Sequence, residues 1–352
     1  MSLSRPSSTA RDRLDRLGVL PTPLMQSWQR CLDRGHLPNE RVVFDAVSAN
    51  QQELALERSQ WLVSAARPVI QSMARAMAHT GYFAILTDAQ GIVIHVDGPI
   101  DRHDGRATQL ARVGVDLSES AVGTTAIGVA LRELQPVWVH RDDHFFDDTS
   151  VYSCAGAPLF GPQGLCVGML DLTGVDVPAR MALKHLVAQS ARAIENSLVM
   201  KQPHALLLRL QWPGHLLGDD NDGLLALNAD GMPIAANRAA IELLSIEPGK
   251  PWPPVSDLLA ITPETLFDAA RRRRGAIDVH LWSGLCLSVL AQAAEPLEAT
   301  AIPGRHSHAV PLRDREAALI RQAVNAAQGN VAEAARALGI SRATVYRKLG
   351  QR

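Results

Sequence analysis

The stretch from Gly329 to Leu349 (Gly-Asn-Val-Ala-Glu-Ala-Ala-Arg-Ala-Leu-Gly-Ile-Ser-Arg-Ala-Thr-Val-Tyr-Arg-Lys-Leu) constrains this chain more than any other. Gly329 suits the left-handed residue that ends a helix, and Asn330 can cap the next one. Val331–Leu338 reads as a short helix and Gly339-Ile340 as a tight turn. Ser341 then caps a further helix over Arg342–Gly350. Helices joined so closely must cross steeply, and Ala334 and Ala335 are small enough to allow the approach. Ile340, Val345 and Leu349 point into the small core. Arg342, Ala343, Thr344, Arg347 and Lys348 are left outside it, a basic, hydrogen-bonding face of the kind that suits a major groove and its phosphates. The plainer alternative is a helical hairpin with a solvated basic face. A longer helix over Leu312–Ala327, with a stripe through Leu319, Ile320, Ala323 and Val324, is expected just before this motif.

Charge supports the sharper reading. The net charge of −1 over 352 residues is an average of two unlike parts. Arg305–Arg352 holds nine Lys and Arg against three Asp and Glu, so the first 304 residues are acidic by seven. A folded, locally basic segment is the footprint of a polyanion binder.

The acidic body carries one signal twice. Tyr82–Thr87, the turn Asp88-Ala-Gln-Gly91 and Ile92–Val96 form a hairpin pattern. Leu224–Leu227, Asn228-Ala-Asp-Gly231 and Met232–Ala236 repeat it. Strands at Val137–His140 and Leu165–Thr173 and a helix over Ala179–Met200 complete the first repeat. Helices from Asn237 and Thr262 and strands at Ala276–Trp282 and Leu285–Ala291 complete the second. The reading is thus an α+β multidomain chain: a polar helical region 1–65, α+β domains at 66–200 and 205–292, a linker 293–308 and an all-α end at 309–352.

The last region resembles the Fis-type helix-turn-helix, in which the preceding helix dimerises. The resemblance implies that Ser341, Arg342 and Thr344 meet bases or nearby phosphates, and that Asn330, Arg347 and Lys348 hold the backbone. Tyr346 stands where that family often has a basic residue. Asp116–Leu131, Val151–Phe160, Gly168–Gly174, the Ser27-Trp28-Gln29-Arg30-Cys31 start and His144-Phe145 resemble the GAF-containing front of the acetoin catabolism regulators, which are sigma-54 activators. Thr125 and Tyr152 depart from that family's usual Asn and Trp. Region 205–292, through Asn228-Ala-Asp-Gly and Asn237-Arg-Ala-Ala, resembles a PAS domain. Sigma-54 activators carry an AAA+ ATPase between sensor and DNA-binding end. Here only the short linker stands before the last helices, and no G-x-x-x-x-G-K-[ST] loop occurs; Pro248-Gly-Lys-Pro251 lacks the first glycine and the hydroxyl.

The GAF resemblance places a small-molecule pocket at Val122, Gly123, Thr124, Thr125, Phe145, Cys154, Ala155 and Pro158. It implies a polyol, hydroxyketone or aromatic effector, against the alternative of a domain serving only as a dimer interface. His140-Arg-Asp-Asp-His144 could supply metal ligands but reads better as a polar loop. Cys154 and Cys166, if they approach across neighbouring strands, would suit a methionine sulfoxide reductase or a thiol sensor; a buried cysteine is more often a small apolar residue. Arg271–Arg274 reads as a helix end capped by Gly275. The scattered cysteines and the lack of an apolar run of about 18 residues point to a reducing cytoplasm and no membrane. The expected partners are DNA, a small effector, a second copy of the chain, and RNA polymerase or a full-length sigma-54 activator. No enzyme activity, cofactor or metal is expected.

Overall fold

Helix α1 (Thr22–Asp33) begins behind Pro21, with a proline also in its first turn, where a missing N–H costs nothing. The computed structural model describes residues 21–294, 324, 330–337, 339–342 and 344–345. They fall in two compact units, Met1–Glu295 and Pro296–Arg352. Helix α2 (Ala49–Ala76) starts from a capping box in which Ser48 accepts from the Gln51 N–H and the Gln51 side chain accepts from the Ser48 N–H. Pro68 lies inside α2 without ending it. The expected boundary at residue 65 therefore falls within a continuous helix. Leu62, Ala65, Ala66 and Ile70 from both sides of that point enter one core.

The first sheet contains β1 (Tyr82–Asp88), β2 (Val93–Asp97), β3 (Val137–His140), β4 (Tyr152–Phe160) and β5 (Cys166–Val175). It is antiparallel, in the order β2-β1-β5-β4-β3. One face packs on α2 and α6 (Ala182–Met200) through Ile70, Leu170, Leu172, Val187 and Ile194. The other is covered by α3 (Gly105–Leu110), α4 (Glu119–Val122) and α5 (Ala126–Glu133), which close over Ile85, Val93, Cys154 and Met169. Both faces are covered, so β1 and β4 are buried along their whole length. That is why they read as apolar runs without alternation.

The second sheet contains β6 (Leu206–Gln211), β7 (Gly223–Leu227), β8 (Pro233–Ala236), β9 (Ile277–His280) and β10 (Cys286–Ala293), in the order β8-β7-β6-β10-β9. Helices α7 (Arg238–Leu243), α8 (Val255–Leu258) and α9 (Pro263–Arg271) pack on one face. The sequence pattern opens this region at 205 but puts its first strand at Leu224–Leu227, and so overlooks β6, the strand that occupies the middle of the sheet. After α9 the left-handed residue is Arg273, at φ +47°, and not Gly275.

The repeated hairpin is real in its chemistry. Asp88 Oδ1 accepts from the Gln90 and Ile92 N–H groups, and Gly91 takes φ +91°. Asn228 Oδ1 accepts from Asp230 and Met232, and Gly231 takes φ +76°. A side-chain oxygen bonding the backbone two and four residues on organises each turn, and glycine supplies the positive φ. No helix of the described residues is long and apolar enough to cross a membrane.

Candidate functional sites

In the C-terminal unit, Asn330 Oδ1 accepts from the Ala332 and Glu333 N–H groups and starts α10 (Val331–Ala337). Gly339, at φ +64°, donates to Arg336 O, and Ile340 N–H donates to Ala335 O. This is a helix end closed through a left-handed glycine. Ser341 Oγ accepts from Thr344 N–H at 3.1 Å and lies 2.9 Å from Thr344 Oγ1. Ala335 and Val345 are buried together, with Val324, Val331 and Ile340 half-buried around them. Arg342 is exposed. Of the residues expected to meet DNA, Asn330 and Ser341 thus have their side-chain oxygens engaged in capping, while Arg342 is open to a partner. Ala343, Tyr346, Arg347 and Lys348 lie outside the described residues. So does the expected helix over Leu312–Ala327, save Val324.

The first lobe holds a small cavity between β1, β4 and β5 and the helices over them. It has about 20 Å³ of room for the centre of a water-sized sphere. Val122, Thr125 and Cys154 line it together with His144, Tyr152 and Thr173. Thr125 caps α5 by accepting from Gly128 N–H. Tyr152 OH donates to Arg106 O. Thr173 donates to Asp171 Oδ2 and stands 3.4 Å from Cys154 Sγ. His144 is fully buried, with Nδ1 2.9 Å from Arg141 O. A carbonyl only accepts, so Nδ1 carries the proton and Nε2 is a bare acceptor. Burial lowers the imidazole to about 4 and keeps it neutral. Burial likewise raises Asp171 to about 7.

The other expected pocket residues are placed elsewhere, and strand alternation and loop direction explain why. Ala155 follows Cys154 in β4 and so points to the opposite face, into the core under α2 and α6. Pro158 lines a groove against the second lobe. Thr124 turns outward, with its hydroxyl 2.8 Å from Ser27 Oγ. Phe145 packs edge-on against Trp28. Gly123 takes φ +70°, and a Cβ there would lie 2.6 Å from the Phe146 ring.

Helix α1 clamps the two loops that carry these walls. Arg30 makes a two-bonded fork on Glu119, both contacts at 2.8 Å, and a third bond to Glu133 at 2.8 Å. Ser27 donates to Glu119 Oε2, and Trp28 Nε1 donates to Asp143 O. The Ser-Trp-x-Arg-Cys start is therefore a brace across the first lobe. Its partner Glu119 lies 89 residues beyond Arg30, a pairing that no local pattern reveals.

The metal and thiol alternatives gain no geometry. His140 Nδ1 lies 2.6 Å from Ser153 Oγ, whereas His144 is turned inward. Among the described residues no cluster of three or more His, Cys, Asp or Glu is arranged to hold a metal. Cys154 stands opposite Thr173 and Cys166 opposite Phe160, at opposite ends of the β4–β5 ladder. Burial raises both thiols, which disfavours the reactive thiolate.

Residues 311–351 match the family described as "Bacterial regulatory protein, Fis family", and residues 14–196 match "MimR, N-terminal domain". The stretch between them contains the second sheet. The acetoin catabolism regulatory protein of Cupriavidus necator is 29% identical over 256 residues, 70% of this chain and 37% of that protein. The propane 2-monooxygenase operon transcriptional activator MimR of Mycolicibacterium goodii is 33% identical over 118 residues, 32% of this chain and 20% of the relative. The chain thus spans well under half the length of these relatives. Among solved structures, the E. coli DhaR(N)–DhaL complex is a looser likeness, with TM-score 0.49 and 14% identity over 78% of this chain and 100% of that one. The chain belongs to the MimR N-terminal domain family, which it joins to a Fis-family helix-turn-helix, and it is homologous to the acetoin catabolism regulators.

Proposed function

We propose that the protein is a DNA-binding transcription regulator whose first lobe senses a small molecule. It binds an inverted-repeat operator as a homodimer, with half-sites about one helical turn apart. The observation that carries this reading is the C-terminal unit. Its Gly339 turn and Ser341 cap present exposed Arg342 beside a half-buried Thr344 on the helix face expected to enter a major groove. The stretch between sensor and helix-turn-helix is filled by a second sheet rather than by a nucleotide-binding loop. The regulator therefore acts by recruiting or occluding RNA polymerase, or by joining a full-length sigma-54 activator, and not by its own ATP hydrolysis.

A gel-shift titration of the full chain against fragments tiled across its neighbouring promoters tests this. Wild type is expected to retain at least one fragment, and Arg342→Ala to weaken that complex by about 1–3 kcal/mol. An unshifted promoter set, or equal affinity of the variant, overturns the assignment.

A further inference from the structure

We infer that His144 Nε2 anchors the hydroxyl of a small, uncharged alcohol in the cavity of the first lobe; the inference rests on the reading of that lobe as the sensor. Nε2 is buried and meets no hydrogen-bond partner among the described residues. The Nδ1 contact to Arg141 O makes Nε2 an acceptor, so the occupant must bring a donor. A buried acceptor without a partner is costly, which makes the choice of donor selective. Three wall hydroxyls donate elsewhere, Tyr152 to Arg106 O, Thr149 to Phe146 O and Thr173 to Asp171, and Thr125 Oγ1 accepts from Gly128 N–H.

The rest of the wall excludes other ligand classes. Phe44, Ile85, Leu110, Leu117, Val122 and Ile127 form an apolar surface, and no Lys or Arg lines the cavity. A carboxylate or phosphate would be stripped of water with no cation to meet it. No Asp or Glu lines the cavity to meet an ammonium. A ketone brings no donor to Nε2. Asp171 Oδ1 also lacks a partner, and it lies on the cavity face of β5 two residues before Thr173. A second polar group on the ligand, reaching this carboxyl, is therefore compatible with the site. The room now present suits a hydroxyl and little more. A chain of several carbons must push out the walls carried by Gly123–Thr125 and His144–Phe146, the loops that α1 clamps.

Calorimetric titration of the full chain with 1-propanol, 2-butanol and butanone tests the donor requirement. 2-Butanol is expected to bind about tenfold tighter than butanone, the discrimination one satisfied buried hydrogen bond supplies. His144→Phe should abolish the difference. If that variant fails to fold, the wild-type protein still decides the matter. In ¹⁵N-histidine spectra, the Nε2 resonance of His144 should move on adding 2-butanol and stay in place with butanone. Equal binding of alcohol and ketone, or binding with an unmoved Nε2 signal, overturns the anchor and leaves a sensor of other chemistry. Binding of none of the three, with exchange between Nε2 and a structural water only, overturns both the anchor and this cavity as the sensor. Neither result bears on DNA binding, which the gel shift reads separately.

Discussion

The two sheets begin with the same side-chain-braced hairpin and then use buried polarity in opposite ways. In the first lobe His144, Asp171, Thr173 and Thr124 are buried in or beside the cavity wall, and Arg30 reaches in from α1 to Glu119. In the second lobe the core formed by Leu206, Leu208, Leu225, Leu266, Leu287 and Val289 is aliphatic. Its buried polar residues, Asp222 and Asn237, gather where the sheet meets α6. Asn237 Nδ2 donates to Asn196 Oδ1 and Asp222 O, while its Oδ1 accepts from the Leu224 and Ala240 N–H groups. Beside this junction Glu195 accepts from Phe160 N–H, and Arg238 lies over the Phe160 ring at 4.5 Å. Polar groups inside a lobe place chemistry there, and polar groups at its margin join it to a neighbour. The contrast supports the proposal of the first lobe as the place for an effector, with the second a body locked onto α6.

The largest expected effect breaks the brace. Arg30→Ala leaves Glu119 buried without its fork, a loss of about 3 kcal/mol. Urea unfolding followed by hydrogen exchange should show the first lobe loosened and the second sheet still protected. Equal loss of protection in both lobes would erase the contrast. Next comes Asn237→Ala, which removes four hydrogen bonds and should cost about 2 kcal/mol. Here the exchange should rise first in β7 and α7, with the cavity strands unaffected.

The smallest effect is a pH profile. Asp171 sits at about 7 in the fold against an ordinary 3.8, because burial disfavours its charge. The folded state then holds a proton that the unfolded chain has already released. The stability this confers is complete below about pH 4 and is lost as pH rises through 7. Asp171→Asn keeps an acceptor for Thr173 and removes the titration. Its melting temperature should therefore gain on wild type between pH 4 and 8, ending at least ~3 °C higher. A constant difference across that range would mean that the carboxyl is not held neutral by its surroundings.

The parts that were legible in the sequence are those decided within a few residues. Asp88 and Asn228 with their following glycines announce both hairpins, because each turn is closed by its own side chain. Gly339 and Ser341 announce the helix-turn-helix for the same reason. Strand β6 is legible only in its second half: Leu208-Arg209-Leu210-Gln211 alternates, but the opening Leu-Leu-Leu run blurs the pattern, since Leu207 is buried on the face opposite Leu206 and Leu208. The candidate pocket was half legible. Val122, Thr125 and Cys154 do converge on the cavity, but Ala155 was placed on the wrong face by one position of strand alternation. Asp171 is a lone charge in an apolar run that carries no local sign of a cavity, and His144 reads in sequence as a loop residue or metal ligand rather than as a buried acceptor.

What the sequence determined by itself is the order of elements, the two hairpins, and a basic helix-turn-helix behind an acidic α+β body. Caps, turn glycines and charge composition act over short spans of chain, so they can be read without the fold. The tertiary structure alone decided which polar groups lose water, that α1 grips α4 89 residues away through Arg30 and Glu119, and that His144, with an unpartnered Nε2, lines the cavity. Burial and long-range pairing belong to the packed chain, because the energy of a polar group depends on what surrounds it and not on which residues flank it.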